Sequence, residues 1–299
     1  MHDFLSLADL TAEEILELLA LADDLKRKRD QKQLYRPLDG KTLAMLFEKP
    51  SLRTRMTFEV GIFELGGQGI YYQTRLGERE SVPDVARNLE RWVDGIMART
   101  YSHEVLVELA KYSSVPVINA LTDQEHPCQI LADAQALRKY KPNFDGLKVA
   151  FVGDGNNVFT SWAHFAARIP IRLTLVCPEG YEADPAVVEY ARTHAKGEIV
   201  VTHDVAAGVA GADAVYTDVW TSMGQEEETE KRAKAFAPYQ VNDALMAMAK
   251  SDAVFMHCLP AHRGMEVTDS VIDSSQSIVF DQAENRLHVQ KAVMSTLMK

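Results

Sequence analysis

Short apolar runs of strand length alternate with helical patterns along most of this chain. The strand-like runs lie at 42–47, 94–98, 115–119, 148–153, 172–177, 214–218, 253–257 and 277–280. Helical periodicity separates most of them, beginning with a Thr-Ala-Glu-Glu capping box at 11–14 that is followed by a stripe of leucines. Alternation of this kind predicts parallel sheets joined by right-handed crossovers, and therefore an α/β fold.

The length and one turn-rich segment predict two domains. A chain of 299 residues is long enough for two ordinary cores. The segment Lys-Pro-Asn-Phe-Asp-Gly at 141–146 has turn chemistry and lies near the middle. We therefore expect domains over 1–142 and 143–299, each a parallel β-sheet flanked by helices. The last helix, about 284–299, can also pack back on the first domain.

Composition indicates which kinds of partner and which compartment suit this chain. A net charge of −11 disfavours nucleic acid, whose phosphate backbone needs a basic face, but a few clustered arginines can still attract a small anion. Three cysteines (Cys128, Cys177 and Cys258) favour a reducing compartment over a disulfide framework. No basic region precedes an apolar core at the N-terminus, and no apolar run approaches the ~18 residues that span a bilayer. We expect a cytoplasmic protein without membrane partners.

The first polar cluster, Pro50-Ser51-Leu52-Arg53-Thr54-Arg55, follows the strand that ends at Phe47. Ser51 is suited to the N-cap of the next helix, which leaves the following backbone N–H groups at the positive end of the helix dipole. That geometry binds phosphate, and Arg53 adds a bidentate guanidinium. An ordinary capped helix with surface arginines is the competing interpretation.

The second cluster is His126-Pro127-Cys128-Gln129, again at a predicted helix start. His126 and Gln129 are three residues apart and can hold a carbonyl oxygen and an amide N–H2 together. Arg99 follows the strand at 94–98 and can reach the same sheet edge. A structural role for His126 is the alternative, and Cys128 is more typical of a small core residue than of a nucleophile.

The glycine turn Gly153-Asp154-Gly155-Asn156-Asn157 partly matches a dinucleotide-binding fingerprint. Its third glycine is replaced by Val158, and the charge of Asp154 would face a pyrophosphate. The match to an NAD site is therefore weak, and two adjacent asparagines at a strand end better suit a small polar ligand.

The remaining polar residues follow the strands at 214–218 and 253–257. Asp218 can pair with a substrate ammonium, and the segment Ser222-Met223-Gly224 can close over a ligand. The segment His257-Cys258-Leu259-Pro260 places a thiol and an imidazole after a buried strand, where open α/β enzymes place their chemistry. The clusters jointly indicate an enzyme that acts on a phosphorylated substrate.

The order of these motifs resembles that of the ornithine carbamoyltransferases, within the aspartate/ornithine transcarbamylase superfamily. The resemblance covers nearly the whole chain and rests on 47–55, 97–99, 126–129, 153–157, Asp218 with 222–224, 257–260, and Ala283-Glu284-Asn285-Arg286. The Ser-Met-Gly and His-Cys-Leu-Pro segments favour the ornithine branch over the aspartate branch.

The resemblance implies a transcarbamylase fold, with carbamoyl phosphate bound by the first domain and L-ornithine by the second. It implies that the phosphate is bound by Ser51, Leu52, Arg53 and Thr54, and the carbamoyl group by Arg99, His126 and Gln129. Arg99 would also lie near the bridging oxygen. It assigns the amino-acid end of ornithine to Asn157, Asp218, Ser222 and Met223. Cys258 and Leu259 would lie beside the δ-amine, and Arg286 would reach the carbamoyl oxygen or the phosphate. The implied catalytic residues are Arg53, Arg99, His126, Gln129, Cys258 and Arg286.

Two positions depart from the family pattern. Leu52 stands where relatives often have Thr, a change with little consequence if the position acts through its backbone N–H. Arg75, in the segment Thr74-Arg75-Leu76-Gly77, stands where many relatives have Gln. We include Arg75 among the expected substrate-binding residues.

The resemblance further implies direct attack of a neutral amine on the carbamoyl carbon, with no metal, no cofactor and no covalent intermediate. It implies a homotrimer or a multiple of trimers, and a place in arginine biosynthesis. Three alternatives remain: a transcarbamylase for another amine such as a modified ornithine or putrescine, an NAD-dependent dehydrogenase, and a non-catalytic binding protein that keeps the fold.

Overall fold

The structure, a computed structural model, describes residues 1–221 and 226–299. It divides into two compact units. Unit 1 comprises residues 1–135 and 284–299, and unit 2 comprises residues 136–283. The sequence-based boundary after residue 142 follows the helix Pro127–Tyr140, whereas the units divide within that helix. Among the described residues, no helix combines the length and apolarity needed to cross a membrane.

Unit 1 contains a four-stranded parallel sheet in the order β2-β1-β3-β4. Its strands are β1 (Thr42–Phe47), β2 (Gln68–Gln73), β3 (Gly95–Arg99) and β4 (Val117–Leu121). Beyond β4, Phe4 forms a parallel bridge with Ile118. The edge strand β2 was not predicted, because its mostly exposed, polar and aromatic residues lack the apolar run that marks the other three strands.

The helices of unit 1 are α1 (Ala12–Asp30), α2 (Leu52–Glu64), α3 (Val82–Leu89), α4 (His103–Tyr112), most of α5 (Pro127–Tyr140) and most of α12 (Val279–Leu297). A 3-10 helix, Leu7–Asp9, precedes them. The predicted capping box is confirmed, since Thr11 accepts from the N–H of Glu14 while the Glu14 carboxylate accepts from the N–H of Thr11.

Unit 2 contains a five-stranded parallel sheet in the order β7-β6-β5-β8-β9. Its strands are β5 (Lys148–Val152), β6 (Arg172–Val176), β7 (Ile199–Thr202), β8 (Ala214–Thr217) and β9 (Val254–His257). Its helices include α6 (Asn157–Ala166), α7 (Pro185–His194), α8 (Val205–Val209), α9 (Thr229–Phe236), α10 (Asp243–Met246) and α11 (Asp269–Ile272). Short 3-10 helices cover Glu226–Glu228 and Ala237–Tyr239.

The strand predicted at 277–280 is wrong. Ser277 forms only an isolated bridge with Phe255, and α12 begins at Val279. The apolar residues Ile278 and Val279 are buried, but they enter the core at the start of a helix. A short apolar run fits either kind of element, and here the helix that follows it decides the outcome.

The two sheets confirm the predicted fold class, because each is parallel and flanked by helices. In a parallel sheet all carboxyl ends lie on one edge, where ligands bind in open α/β folds. The predicted site residues follow those ends in both units: Ser51 follows β1, Arg99 ends β3, His126 follows β4, Asn157 follows β5, Asp218 follows β8 and Cys258 follows β9.

Candidate active site

The start of α2 has the geometry that was predicted for an anion cradle. Ser51 is the N-cap, and its hydroxyl accepts from the N–H of Thr54 at 3.3 Å. The Leu52 side chain is 76% exposed, so the polar group that this residue offers is its backbone N–H. The first turn of α2 contains no acidic residue to compete for an anion. The helix start therefore retains its full attraction for a phosphate group.

A hydrogen-bonded network joins this cradle to residues far away in the sequence. The guanidinium of Arg286, on α12, donates from Nη2 to Thr54 Oγ1 at 3.2 Å and from Nη1 to Gln129 Oε1 at 2.6 Å. Thr54 Oγ1 also accepts from Ser51 Oγ at 3.1 Å. Arg286, Thr54 and Gln129 are all buried. Four predicted residues of unit 1 thus form one connected polar cluster.

His126 lies in a strongly cationic environment. Burial lowers its pKa well below the ordinary value, and the positive charges of Arg286, Arg99 and Arg53 lower it further. The imidazole is therefore neutral at neutral pH and can donate a hydrogen bond from one ring nitrogen without adding another charge. Three predicted arginines from three separate segments act on this one side chain.

Arg99 and Arg75 differ in their settings. Arg99 is buried at the end of β3, where the register with β4 shifts. Arg75 is exposed, and its guanidinium lies 5.8 Å from the centre of the Tyr101 ring. Glu48 fixes both neighbouring loops, because its two carboxylate oxygens accept from the N–H groups of Leu76 and Tyr101, each at 2.9 Å. Glu48 was not singled out from the sequence.

Cys128 is a core residue in the structure. It is fully buried, its thiol donates to the carbonyl of Asn119 at 3.4 Å, and burial raises its pKa to about 12. A thiol in this state is a poor nucleophile, as the sequence predicted.

Asp218 is the centre of a second cluster, in unit 2. One carboxylate oxygen accepts from Asn156 Nδ2 at 2.8 Å, and the other accepts from the Cys258 thiol at 3.0 Å and from the N–H of Val219 at 2.8 Å. Asp218 is buried and Cys258 is half-buried. The structure thus brings together Asp218 and Cys258, which are predicted site residues, and adds Asn156.

Asn156 has two roles that the sequence did not separate. Its Oδ1 caps α6 by accepting from the N–H groups of Val158 and Phe159, at 3.0 and 3.2 Å. Its Nδ2 is thereby directed to Asp218. The predicted ligand Asn157 is the first residue of α6 and is half-buried. The pair of asparagines was the available signal, but only geometry shows which one supports the carboxylate.

The loop after β9 places Leu259 in a costly conformation. Its φ of 57° is in the left-handed region, which is unfavourable for a branched side chain. Its N–H donates to His257 Nδ1 at 2.8 Å, which holds the turn. Strain of this kind often accompanies function. Ser222 and Met223, also predicted to bind substrate, lie outside the described residues.

Asp218, His257 and Cys258 each have one potential ligand atom within 4.8 Å of the other two, close enough for the three to share a metal ion. Their hydrogen bonds argue against that role. His257 Nδ1 accepts from Leu259, and Nε2 lies 3.3 Å from the buried carboxylate of Glu266. Asp218 accepts from three donors. A metal would have to displace these contacts, so the set fits a hydrogen-bonded site better.

The glycine turn after β5 has no room for a dinucleotide at its second glycine. A Cβ at Gly155 would lie 2.1 Å from the backbone nitrogen of Ala183, so the protein's own chain fills that space. The Asp154 carboxylate is directed to Arg232, at 2.7 Å. These contacts disfavour the NAD-dependent alternative.

Asp133 is a buried carboxylate that the sequence analysis missed. It lies on α5 and accepts from Gln129 Nε2 at 2.8 Å. An acidic residue inside the apolar stretch Ile-Leu-Ala-Asp-Ala, one turn after Gln129, was the signal that could have identified it.

Comparison with known proteins gives a consistent result. Two family models match: residues 2–139 match the aspartate/ornithine carbamoyltransferase, carbamoyl-P binding domain, and residues 145–297 match the aspartate/ornithine carbamoyltransferase, Asp/Orn binding domain. An ornithine carbamoyltransferase from Chlorobaculum tepidum is 51% identical over 99% of this chain and 90% of the relative.

Solved structures agree. The ornithine carbamoyltransferase from Pyrococcus furiosus is 50% identical, with a TM-score of 0.97 over 99% of this chain and 97% of that one. An acetylornithine transcarbamylase complexed with acetylcitrulline is 34% identical, with a TM-score of 0.90 over the full length of both chains. The chain therefore belongs to the aspartate/ornithine carbamoyltransferase family.

Proposed function

We propose that this chain transfers the carbamoyl group of carbamoyl phosphate to the δ-amine of L-ornithine, giving L-citrulline and phosphate. One observation carries the proposal: in unit 1, Arg286 links the anion cradle of α2 to Gln129, beside a neutral His126 under the field of three arginines. Such a cluster suits a small, doubly charged acyl phosphate. The similarity to ornithine carbamoyltransferases at about half identity supports the choice of reaction.

Each group of unit 1 then has a chemical task. The start of α2, with Arg53 and Arg99, binds the phosphate and stabilises the charge that builds on it as the C–O bond breaks. The neutral His126 and Arg286 donate to the carbonyl oxygen, where negative charge develops as the amine attacks. Gln129 binds the carbamoyl N–H2. The new C–N bond forms directly as the bond between the carbamoyl carbon and the bridging oxygen breaks, and the departing phosphate takes up the proton that the nitrogen gives up.

The unit 2 cluster is proposed to bind ornithine. Asp218 pairs with the α-ammonium group, assisted by Asn157, Ser222 and Met223, while Leu259 and Cys258 lie beside the δ-amine. The Cys258 thiol donates to Asp218, which supports a hydrogen-bonding role rather than nucleophilic attack. Residues 1–142 and 143–299 would thus be the carbamoyl-phosphate and ornithine domains. Arg75 is proposed to add to anion binding.

The test is citrulline formation from carbamoyl phosphate and ornithine. Arg53→Ala should lose most activity, since it removes a charge from the phosphate site. Arg55→Ala is the matched control: Arg55 lies on the same helix but is exposed, pairs with Glu59 at 3.0 Å and lies over the Tyr71 ring. A folded wild type that forms no citrulline would refute the function, and an unaffected Arg53→Ala would refute the phosphate role.

A second acceptor deserves measurement because an acetylornithine transcarbamylase shares this fold. N-acetylation removes the positive charge from the α-nitrogen of ornithine. A buried carboxylate at Asp218 favours a charged amine, so we expect ornithine to be preferred over acetylornithine. Putrescine keeps its charged amines but lacks the α-carboxylate, and we expect it to be a poorer acceptor because Asn157 and Asp218 are proposed to bind the complete amino-acid end. The ratio of kcat/KM values among the three acceptors tests this preference.

We also propose a cytoplasmic homotrimer, or a multiple of trimers, that acts in arginine biosynthesis. The three cysteines, all among the described residues, are thiols, which suits a reducing compartment. Exposed apolar side chains on α2 and on the edge strand β2, namely Leu52, Phe63, Ile70 and Tyr72, suit a subunit interface. Light scattering should give three times the 33.4 kDa chain mass, or a multiple of that value.

A further inference from the structure

Gln129 is held from both ends of its amide group. Its Oε1 accepts from Arg286 Nη1 at 2.6 Å, and its Nε2 donates to the fully buried Asp133 at 2.8 Å. Asp133 lies one turn further along α5, a spacing at which the carboxylate can reach the amide. In the proposed reaction Gln129 and Arg286 contact the carbamoyl group, whereas Asp133 contacts Gln129.

The chemistry of the two partners fixes which way the amide faces. A guanidinium only donates hydrogen bonds, and an ionised carboxylate only accepts them. Turning the Gln129 amide by 180° would place N–H2 against the guanidinium and the carbonyl oxygen against the carboxylate. Both hydrogen bonds would be lost in a buried site, where unsatisfied polar groups are costly.

We propose that Asp133 is a positioning residue that makes the site selective for acyl phosphates bearing an N–H2 group. Because Asp133 holds Nε2, Gln129 must present its carbonyl oxygen, whose second lone pair can accept from the donor substrate. This inference rests on the proposed function, in which Gln129 binds the carbamoyl group. Carbamoyl phosphate supplies the required N–H, whereas acetyl phosphate carries a methyl group in the same place.

The test compares the affinities of these two compounds by titration calorimetry, without ornithine. In Asp133→Leu only the Arg286 contact still holds the amide, which can turn more easily, so the preference for carbamoyl phosphate over acetyl phosphate should fall on the order of tenfold, the effect of one hydrogen bond. Asp133→Asn retains an acceptor for Nε2 and should stay within about threefold of wild type. Rescue by Asn separates positioning from the loss of buried charge.

A second glutamine on the same helix, Gln135, provides a matched control through its own aspartate partner. Gln135 Nε2 donates to Asp23 Oδ1 at 3.0 Å, a second glutamine–aspartate pair outside the cluster. Asp23→Leu should leave the preference unchanged. If Asp133→Leu does not fold, Asp133→Ser replaces it, because the shorter side chain does not reach Nε2.

The outcomes separate the two proposals. An unchanged preference in Asp133→Leu or Asp133→Ser, or an equal fall in Asp133→Asn, overturns the positioning role while wild-type citrulline formation still supports the function. A wild type that binds carbamoyl phosphate selectively but forms no citrulline overturns only the function. Failure of the wild type to bind carbamoyl phosphate overturns both.

Discussion

The two units carry polar clusters of opposite character at the carboxyl edges of their sheets. In unit 1 the cluster is cationic and buried, and it is completed by Arg286 from α12, far from the other members in sequence. In unit 2 it is centred on the carboxylate of Asp218, and its other members, Asn156 and Cys258, are only partly buried. One unit is thus suited to an anion and the other to a cation.

The difference shows how each kind of charge is kept stable. Buried guanidinium groups lose much hydration, which costs several kcal/mol per ion unless hydrogen bonds compensate. Unit 1 compensates with a chain of contacts through Thr54, Gln129 and Asp133, so its members depend on one another. Asp218 receives donors from residues that flank three adjacent strands, so changes there should remain local.

The largest effect is expected from Arg286→Met. This change removes the donor to Gln129 and Thr54 at once, so kcat/KM for carbamoyl phosphate should fall by about 10³ or more. Lys291→Met is the control, because Lys291 is a buried cation on the same helix that pairs with Glu64 instead. Citrulline assays on both variants distinguish loss of the cluster from loss of a buried charge; similar activities would mean that the network is not interdependent.

Asp218→Asn should affect only the acceptor. Losing the carboxylate should reduce kcat/KM for ornithine by about 10², while carbamoyl phosphate binding stays unchanged. Asp213, at the opposite end of β8, is the matched control. It accepts from the N–H of Lys148 at 2.9 Å and pairs with Lys250 at 2.6 Å. A parallel loss of carbamoyl phosphate affinity in Asp218→Asn would contradict the local character of the unit 2 cluster.

The sequence predicted the main members of each cluster better than the residues that support them. The α/β class, the N-cap at Ser51 and the core position of Cys128 followed from periodicity and local chemistry. Asp133 and Asn156 did not, because a hydrogen bond between side chains depends on rotamers that spacing does not determine. The run at 277–280 failed for a different reason, since four residues do not establish a period.

Asn156→Ser should have a smaller effect, because it removes only the donor to Asp218. Serine is also a good N-cap, so the stability of α6 should change by no more than about 0.5 kcal/mol. The KM for ornithine should rise several-fold as Asp218 loses one of its orienting contacts. Asn242→Ser, at the N-cap of α10, is the control and should leave KM unchanged. If the KM does not rise, Asn156 is only a helix cap.

Replacing His288 should have the smallest effect at neutral pH, and its effect on the free energy of unfolding should grow as the pH falls. His288 and His257 are both fully buried. His257 lies in unit 2, where it contacts Glu266 and Leu259. His288 lies in unit 1, where burial lowers its pKa to about 4. The unfolded chain binds this proton near pH 6.5 and the folded chain only near 4. The free energy of unfolding should therefore fall as the pH decreases from 6.5 to 4, by about 1.4 kcal/mol per unit.

His288→Leu removes this dependence while leaving the clusters of both units intact. Relative to wild type, the variant should gain stability as the pH falls through that window, and the difference should level off below 4, where both forms of the wild type are protonated. Urea unfolding of both proteins at pH 7, 6, 5 and 4 measures this difference in the free energy of unfolding. His2→Leu, at an exposed histidine, should show no such trend. A His288→Leu curve parallel to that of wild type would mean that His288 takes up its proton in the folded protein, and that unit 1 tolerates a further buried positive charge.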